Sequence, residues 1–119
     1  MLSQYDVPNF IAFRVPEIKL ELSGACAQPS AYQSIQILAD YTKRMALEHD
    51  FKTVEKCMSL VHKLYEKGNA LVRGAVENIF IYSFSTLMTH CNAVEWRMVQ
   101  SYMSADIYQI YINQVLRSR

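Results

Sequence analysis

The side chains with the widest chemical reach in this sequence are its cysteines and histidines. Cys57 and His62 lie five positions apart, and His90 adjoins Cys91. A structural zinc site draws on four nitrogen or sulfur ligands, usually in short fixed pairs such as C-x-x-C. Cys57 falls on an apolar helical stripe and His62 falls off it, so the two point different ways. A core cysteine beside a surface histidine is the expectation, and no metal site is predicted. His90 next to Cys91 has the composition of an activated thiol but not the geometry. A Cys–His pair must meet at hydrogen-bonding distance, and neighbours in sequence do not face each other on a helix or turn. No glycine-rich phosphate or oxyanion loop is present, and no acid/base constellation stands out. The chain is therefore read as not an enzyme, with no catalytic residues and no cofactor.

Three other groups of residues remain. Glu77 and Asn78 sit inside the most apolar stretch of the chain. A polar group there must be hydrogen-bonded or reach water. Asn78 is thus expected as a buried polar point, bonded to a neighbouring helix or loop, with a ligand groove as the alternative. Trp96, Tyr102, Tyr108, Ile110 and Tyr111 cluster late in the chain. Tyrosine and tryptophan join an apolar body to a polar tip, which suits a protein interface and equally suits packing with the hydroxyl in water. Lys52, Lys56, Lys63 and Lys67 form a basic stripe, but Glu55 and Glu66 interleave it, so it reads as a solvated face.

Helices must position these groups. Pro8 opens a short one containing Phe10, Ile11 and Phe13. Ile18, Leu20 and Leu22 alternate with Lys19 and Glu21, which is strand-like, but no partner strand appears. Short helical turns are expected there, followed by a loop over 24–29. Ser30 caps a helix over 30–48, with Tyr32, Ile35, Leu38, Ala39, Met45 and Ala46 near one face. Asp50 caps the next, over 51–67, where Val54, Cys57, Met58, Val61, Leu64 and Tyr65 repeat at helical spacing. Gly68 and Asn69 read as its C-cap, with glycine in the left-handed conformation. Residues 70–88 carry apolar stripes on two sides (Val72, Ala75, Val76, Ile79, Phe80, Leu87; then Leu71, Ile81, Phe84, Met88), so this is predicted to be the central helix. Arg73 and Glu77 are expected to pair across one turn. A corner at 89–93, a helix over 94–103, Ser104 as a cap and a helix over 105–117 complete the chain, unless the last two are one bent helix.

The 119 residues suit one domain spanning 1–119. Hydrophobic residues make up 51% and charged residues 19%, which excludes disorder over most of the length. A net charge of +1 removes the simple electrostatic case for a nucleic-acid binder. The longest apolar runs, such as Ile79 to Tyr82, are far short of the ~20 residues that span a bilayer. Three cysteines, an odd number, and an N-terminus without a basic start point to reduced thiols in a cytoplasm. Folding a chain of this mass should leave a surface of about 6,600 Å².

The stretch GNALVRGAVENIFIYSFSTL, residues 68–87, with the two-helix layout before it from Leu38, resembles a small bacterial all-helical family in which a Gly-Asn or Gly-Asp turn leads into V-R-x-A-(I/V). The resemblance spans residues 30–88 and implies a helical-repeat or immunity-type interaction protein with no catalytic residues. The chain is therefore expected to be all-α, a compact antiparallel bundle of four to five helices with helical-repeat-like spacing. Its expected role is to bind a protein partner, or itself, through an apolar and aromatic face. The alternative is a helical bundle that binds a small molecule or metal near Cys57, Asn78 or Cys91.

Overall fold

Side-chain caps decide where the helices begin. In the computed structural model, which describes residues 2–25, 30–81, 83 and 91–117, Ser30 and Gln33 close a reciprocal capping box at 3.1 and 2.9 Å. Asp50 Oδ1 accepts from the Thr53 N–H at 3.3 Å, and Ser104 Oγ from the Ile107 N–H at 3.3 Å. Asn69 Oδ1 accepts from the Val72 N–H at 3.1 Å, and Asn92 exchanges bonds with Glu95 at 2.8 and 3.1 Å. Each cap satisfies a backbone donor that the first helical turn leaves free. The resulting order is α1 (Val7–Arg14), a 3-10 turn (Pro16–Ile18), α2 (Lys19–Ala25), α3 (Ala31–Leu47), α4 (Phe51–Lys67), α5 (Ala70–Ala75), a π-helical turn (Val76–Ile81), α6 (Ala93–Tyr102) and α7 (Ala105–Arg117). The chain is all-α.

The strand-like alternation at 18–22 is helical, as its lack of a partner required, and α2 runs to Ala25 into what was expected to be loop. The last two helices are separate, because Met103 is extended between them. Of the expected corner at 89–93, residues 91–93 are described and the helix already begins at Ala93, capped by Asn92; the far half of the predicted 70–88 helix lies largely outside the described residues.

The core holds Val7, Ile11, Val15 and Ile18 from the N-terminal segment with Ile35, Leu38, Val54, Leu64, Val72, Phe80, Val99 and Ile107. α3 is its hub: it packs on α1, the 3-10 turn, α2, α4, α5 and the π turn. Among the described residues the helix beginning at Ala70 packs on α3, α4 and α7, fewer elements than α3 reaches, so α3 rather than the described part of this helix holds the central place. The reason is visible in its two stripes. Val72, Ala75, Val76 and Phe80 are buried, whereas Leu71 of the second stripe is exposed. Tyr32 is likewise exposed at the start of α3, where Ala31 and Ser34 turn inward instead. The buried hydroxyls of Ser34 and Thr42 donate to the carbonyls of Ser30 and Leu38, at 2.9 and 2.8 Å, and so are themselves satisfied.

Gly68 corrects the expected left-handed cap. Its backbone is extended, with φ −76° and ψ 153°. Its role is to admit close approach. A methyl group there would stand 2.5 Å from Val72 Cγ1 and press on the Leu64 carbonyl. Leu2 pairs beside it in a parallel bridge: the Leu2 N–H donates to the Lys67 carbonyl at 2.6 Å and the Asn69 N–H to the Leu2 carbonyl at 2.8 Å. Among the described residues the left-handed one is His49, at φ 61°, just past the end of α3.

Candidate functional site

Cys57 is fully buried on the inner face of α4, and burial pushes its thiol up, against a smaller opposing hydrogen bond to Thr42. A thiol held protonated is neither a good nucleophile nor a ready metal ligand. Half-buried Cys91 is also pushed up, by burial and then by the Glu95 charge. His62 leaves the apolar face and meets Glu66 one turn on, at 3.0 Å. His90 lies outside the described residues. Among the described residues no three His, Cys, Asp or Glu side chains converge on one point.

The late aromatic group divides. Tyr111 is 7% exposed and meets Trp96 edge-on, with ring centroids 5.8 Å apart. It is part of the core and not of an outer face, because it continues the inward stripe of α7 from Ile107 at four-residue spacing. Trp96, Tyr102 and Ile110 are half-buried against the core. Tyr108 alone of the five is exposed. Outside it, Val94 and Met98 on α6 and Leu116 on α7 also face water.

Asn78 is exposed, which overturns the expected buried polar point. It lies on the side of its helix away from Val72, Ala75, Val76 and Phe80, at the rim of a cleft that faces α7. The pairing of Arg73 with Glu77 is absent too. Four-residue spacing brings side chains together only on an α-helix, and the backbone widens into a π turn at Val76. Both side chains go to Tyr65 instead. Arg73 Nε donates to the Tyr65 carbonyl at 3.1 Å, and its guanidinium sits over the same residue's ring, 5.3 Å from the centroid. The Tyr65 hydroxyl donates to Glu77 Oε1 at 3.3 Å.

The π turn also creates a feature that sequence reasoning missed. A π turn leaves the regular i to i−4 bonding ladder, and Gln114 Nε2 donates to the Glu77 carbonyl at 2.6 Å. Beside this bond lies a polar cavity of about 120 Å³, lined by Glu77, Asn78, Ile110, Asn113 and Gln114. The usable signal was Gln114 itself: it stands seven residues after Ile107 and three after Tyr111, on the inward stripe of α7. A more open, apolar groove of about 420 Å³ runs along Tyr32, Gln36, Ile37 and Ile79.

Elsewhere the charged side chains serve as braces. Glu17 accepts from Tyr41 at 3.2 Å and from Lys56 at 3.3 Å, joining the 3-10 turn to α3 and α4. Arg44 meets Glu21 at 2.7 Å, and His49 Nδ1 meets Glu95 Oε2 at 2.5 Å. Among the described residues no helix is long and apolar enough to cross a membrane.

Residues 8–117 match the family described as a domain of unknown function, DUF7674, and the chain belongs to that family. No curated protein and no solved structure matches the chain.

Proposed function

We propose that this DUF7674 chain is a non-enzymatic, cytoplasmic interaction module that binds a protein partner, or a second copy of itself. The observation that carries this reading is the outer surface of the last two helices. Val94 and Met98 are one turn apart on α6, and Tyr108 and Leu116 are exposed two turns apart on α7, with half-buried Ile112 between them. Val94 and Leu116 are more than 60% exposed, at 66% and 62%. Such stripes fit a partner surface better than water. Among the described residues, burial raises the thiols of Cys57 and Cys91 and Glu17 and Glu21 are engaged in ion pairs, which supports the same reading. The immunity-type resemblance of residues 30–88 belongs with this proposal. Light scattering and cross-linking of the purified chain, followed by capture from the source cell, test it. Tyr108→Asp combined with Leu116→Asp should abolish the association while helicity is kept. A strict monomer that captures nothing, or an association that survives both substitutions, overturns it.

A second reading, a bundle that binds a small polar ligand, is favoured by the cavity at the π turn, which holds Asn78 at its edge.

A further inference from the structure

The cavity between the π turn and α7 has a definite sign and a definite set of open bonds. Glu77 brings a carboxylate to it, and among the described residues no basic side chain pairs with that carboxylate. The nearest cation on its own helix, Arg73, is engaged by the carbonyl and ring of Tyr65. Among the described residues the one partner of the Glu77 carboxylate is the Tyr65 hydroxyl, on Oε1 at 3.3 Å. Gln114 uses its amide nitrogen on the Glu77 carbonyl, which keeps its Oε1 as an acceptor. Asn113 Oδ1 takes one bond, from Gln109 Nε2 at 3.2 Å, and Asn78 carries a further carboxamide at the rim. Free acceptors around one unneutralised negative charge call for a cation with several donors. Ile110 supplies an apolar flank for an alkyl stem.

We propose that the pocket formed by Glu77, Asn78, Ile110, Asn113 and Gln114 binds a guanidinium group. This rests on the ligand-binding reading above and names the class of ligand. The planar guanidinium presents five N–H donors in a fixed fork and binds carboxylates with directed, charge-assisted bonds. Its four heavy atoms are matched by a volume of about 120 Å³, which holds roughly four waters at ~30 Å³ each. The π turn is what makes room: it moves Glu77 out of register with Arg73, which would otherwise neutralise it. The source is either a free alkylguanidine or an arginine side chain on a peptide.

The test is an NMR titration of the full chain, following the side-chain amide signals of Asn78, Asn113 and Gln114. The probes are agmatine, acetyl-Gly-Arg-Gly-amide and urea, the last a neutral planar isostere. Saturable shifts are expected with one or both guanidinium probes and not with urea. Glu77→Gln, which keeps an acceptor for Tyr65, should weaken that binding at least about tenfold, the size of one charge-assisted hydrogen bond. Asn78→Ala, at an exposed position, should weaken it less and fold normally. Agmatine alone binding marks a small-molecule source, and the peptide binding more tightly marks a protein source. Urea binding as well as agmatine, or Glu77→Gln binding unchanged, overturns the guanidinium assignment but leaves a ligand pocket. No saturable shift with any probe overturns the assignment, and a ligand screen without a hit then removes the pocket reading as well.

Discussion

Tyr41 shows how one buried polar group couples the fold to solution conditions. Its hydroxyl is pushed up to about 12, first by burial, then by the Glu17 charge and the hydrogen bond it donates there. The folded state therefore holds the proton more tightly than the unfolded chain, whose tyrosine titrates near 10. The stabilisation is complete below pH 10 and is lost as pH rises from there through 12. Urea midpoints measured across that range should fall with pH, and Tyr41→Phe should flatten the decline relative to the parent chain. Tyr65, Tyr111 and Cys57 are raised as well, so the variant should keep a residual slope. The braces of Glu17 and Glu21, by contrast, are half-exposed ion pairs, and such pairs add at most about 1 kcal/mol each.

The boundaries of the helices were legible in the sequence because caps act locally. Ser30, Asp50 and Ser104 do what their residue types require within a few positions. The apolar repeat of α4 was equally direct, since Val54, Cys57, Met58, Val61 and Leu64 need only one partner face. Gly68 and Asn69 were misread because both helix ends compete for the same dipeptide: Asn69 starts α5, and Gly68 yields to a close contact and not to a positive φ. The π turn left no local mark. Val76 to Ile81 reads as ordinary apolar helix, and the side chain that meets the widened turn, Gln114 at the Glu77 carbonyl, is 37 positions away. The candidate pocket was thus half legible, through Asn78, and the half on α7 was not. Gln114→Leu removes the donor and leaves that carbonyl without its partner. A loss of about 1 to 3 kcal/mol is expected from denaturant unfolding. A variant as stable as the parent would show that the π turn stands without Gln114.

At the scale of the whole molecule, the accessible surface is 6877 Å², close to the ~6,600 Å² expected for a folded monomer of this mass. The radius of gyration, 13.5 Å, equals the value of about 13.5 Å expected for a compact chain of this length. Any partner would then add to a fold that is already closed. One junction ties the two halves of that fold: Leu2 beside Gly68, with Gln4 Oε1 accepting from Asn69 Nδ2 at 3.1 Å. Gly68→Ala drives a methyl group into Val72 and the Leu64 carbonyl, and overpacking of that kind costs about 1 to 3 kcal/mol. Thermal unfolding should show the loss, and hydrogen exchange should rise at Leu2 and Asn69 together. Exchange rising at only one of them would show that the bridge is not a single unit.

That junction also sets an order of events during biosynthesis. Gln4 and Asn69 are 65 positions apart. At translation speeds of about 5 to 20 residues per second, the leading segment emerges roughly 3 to 13 s before the corner that receives it has been made. Throughout that interval the nascent chain carries Val7, Ile11 and Val15 without the α4–α5 corner to anchor them, which is when a chaperone has its opening.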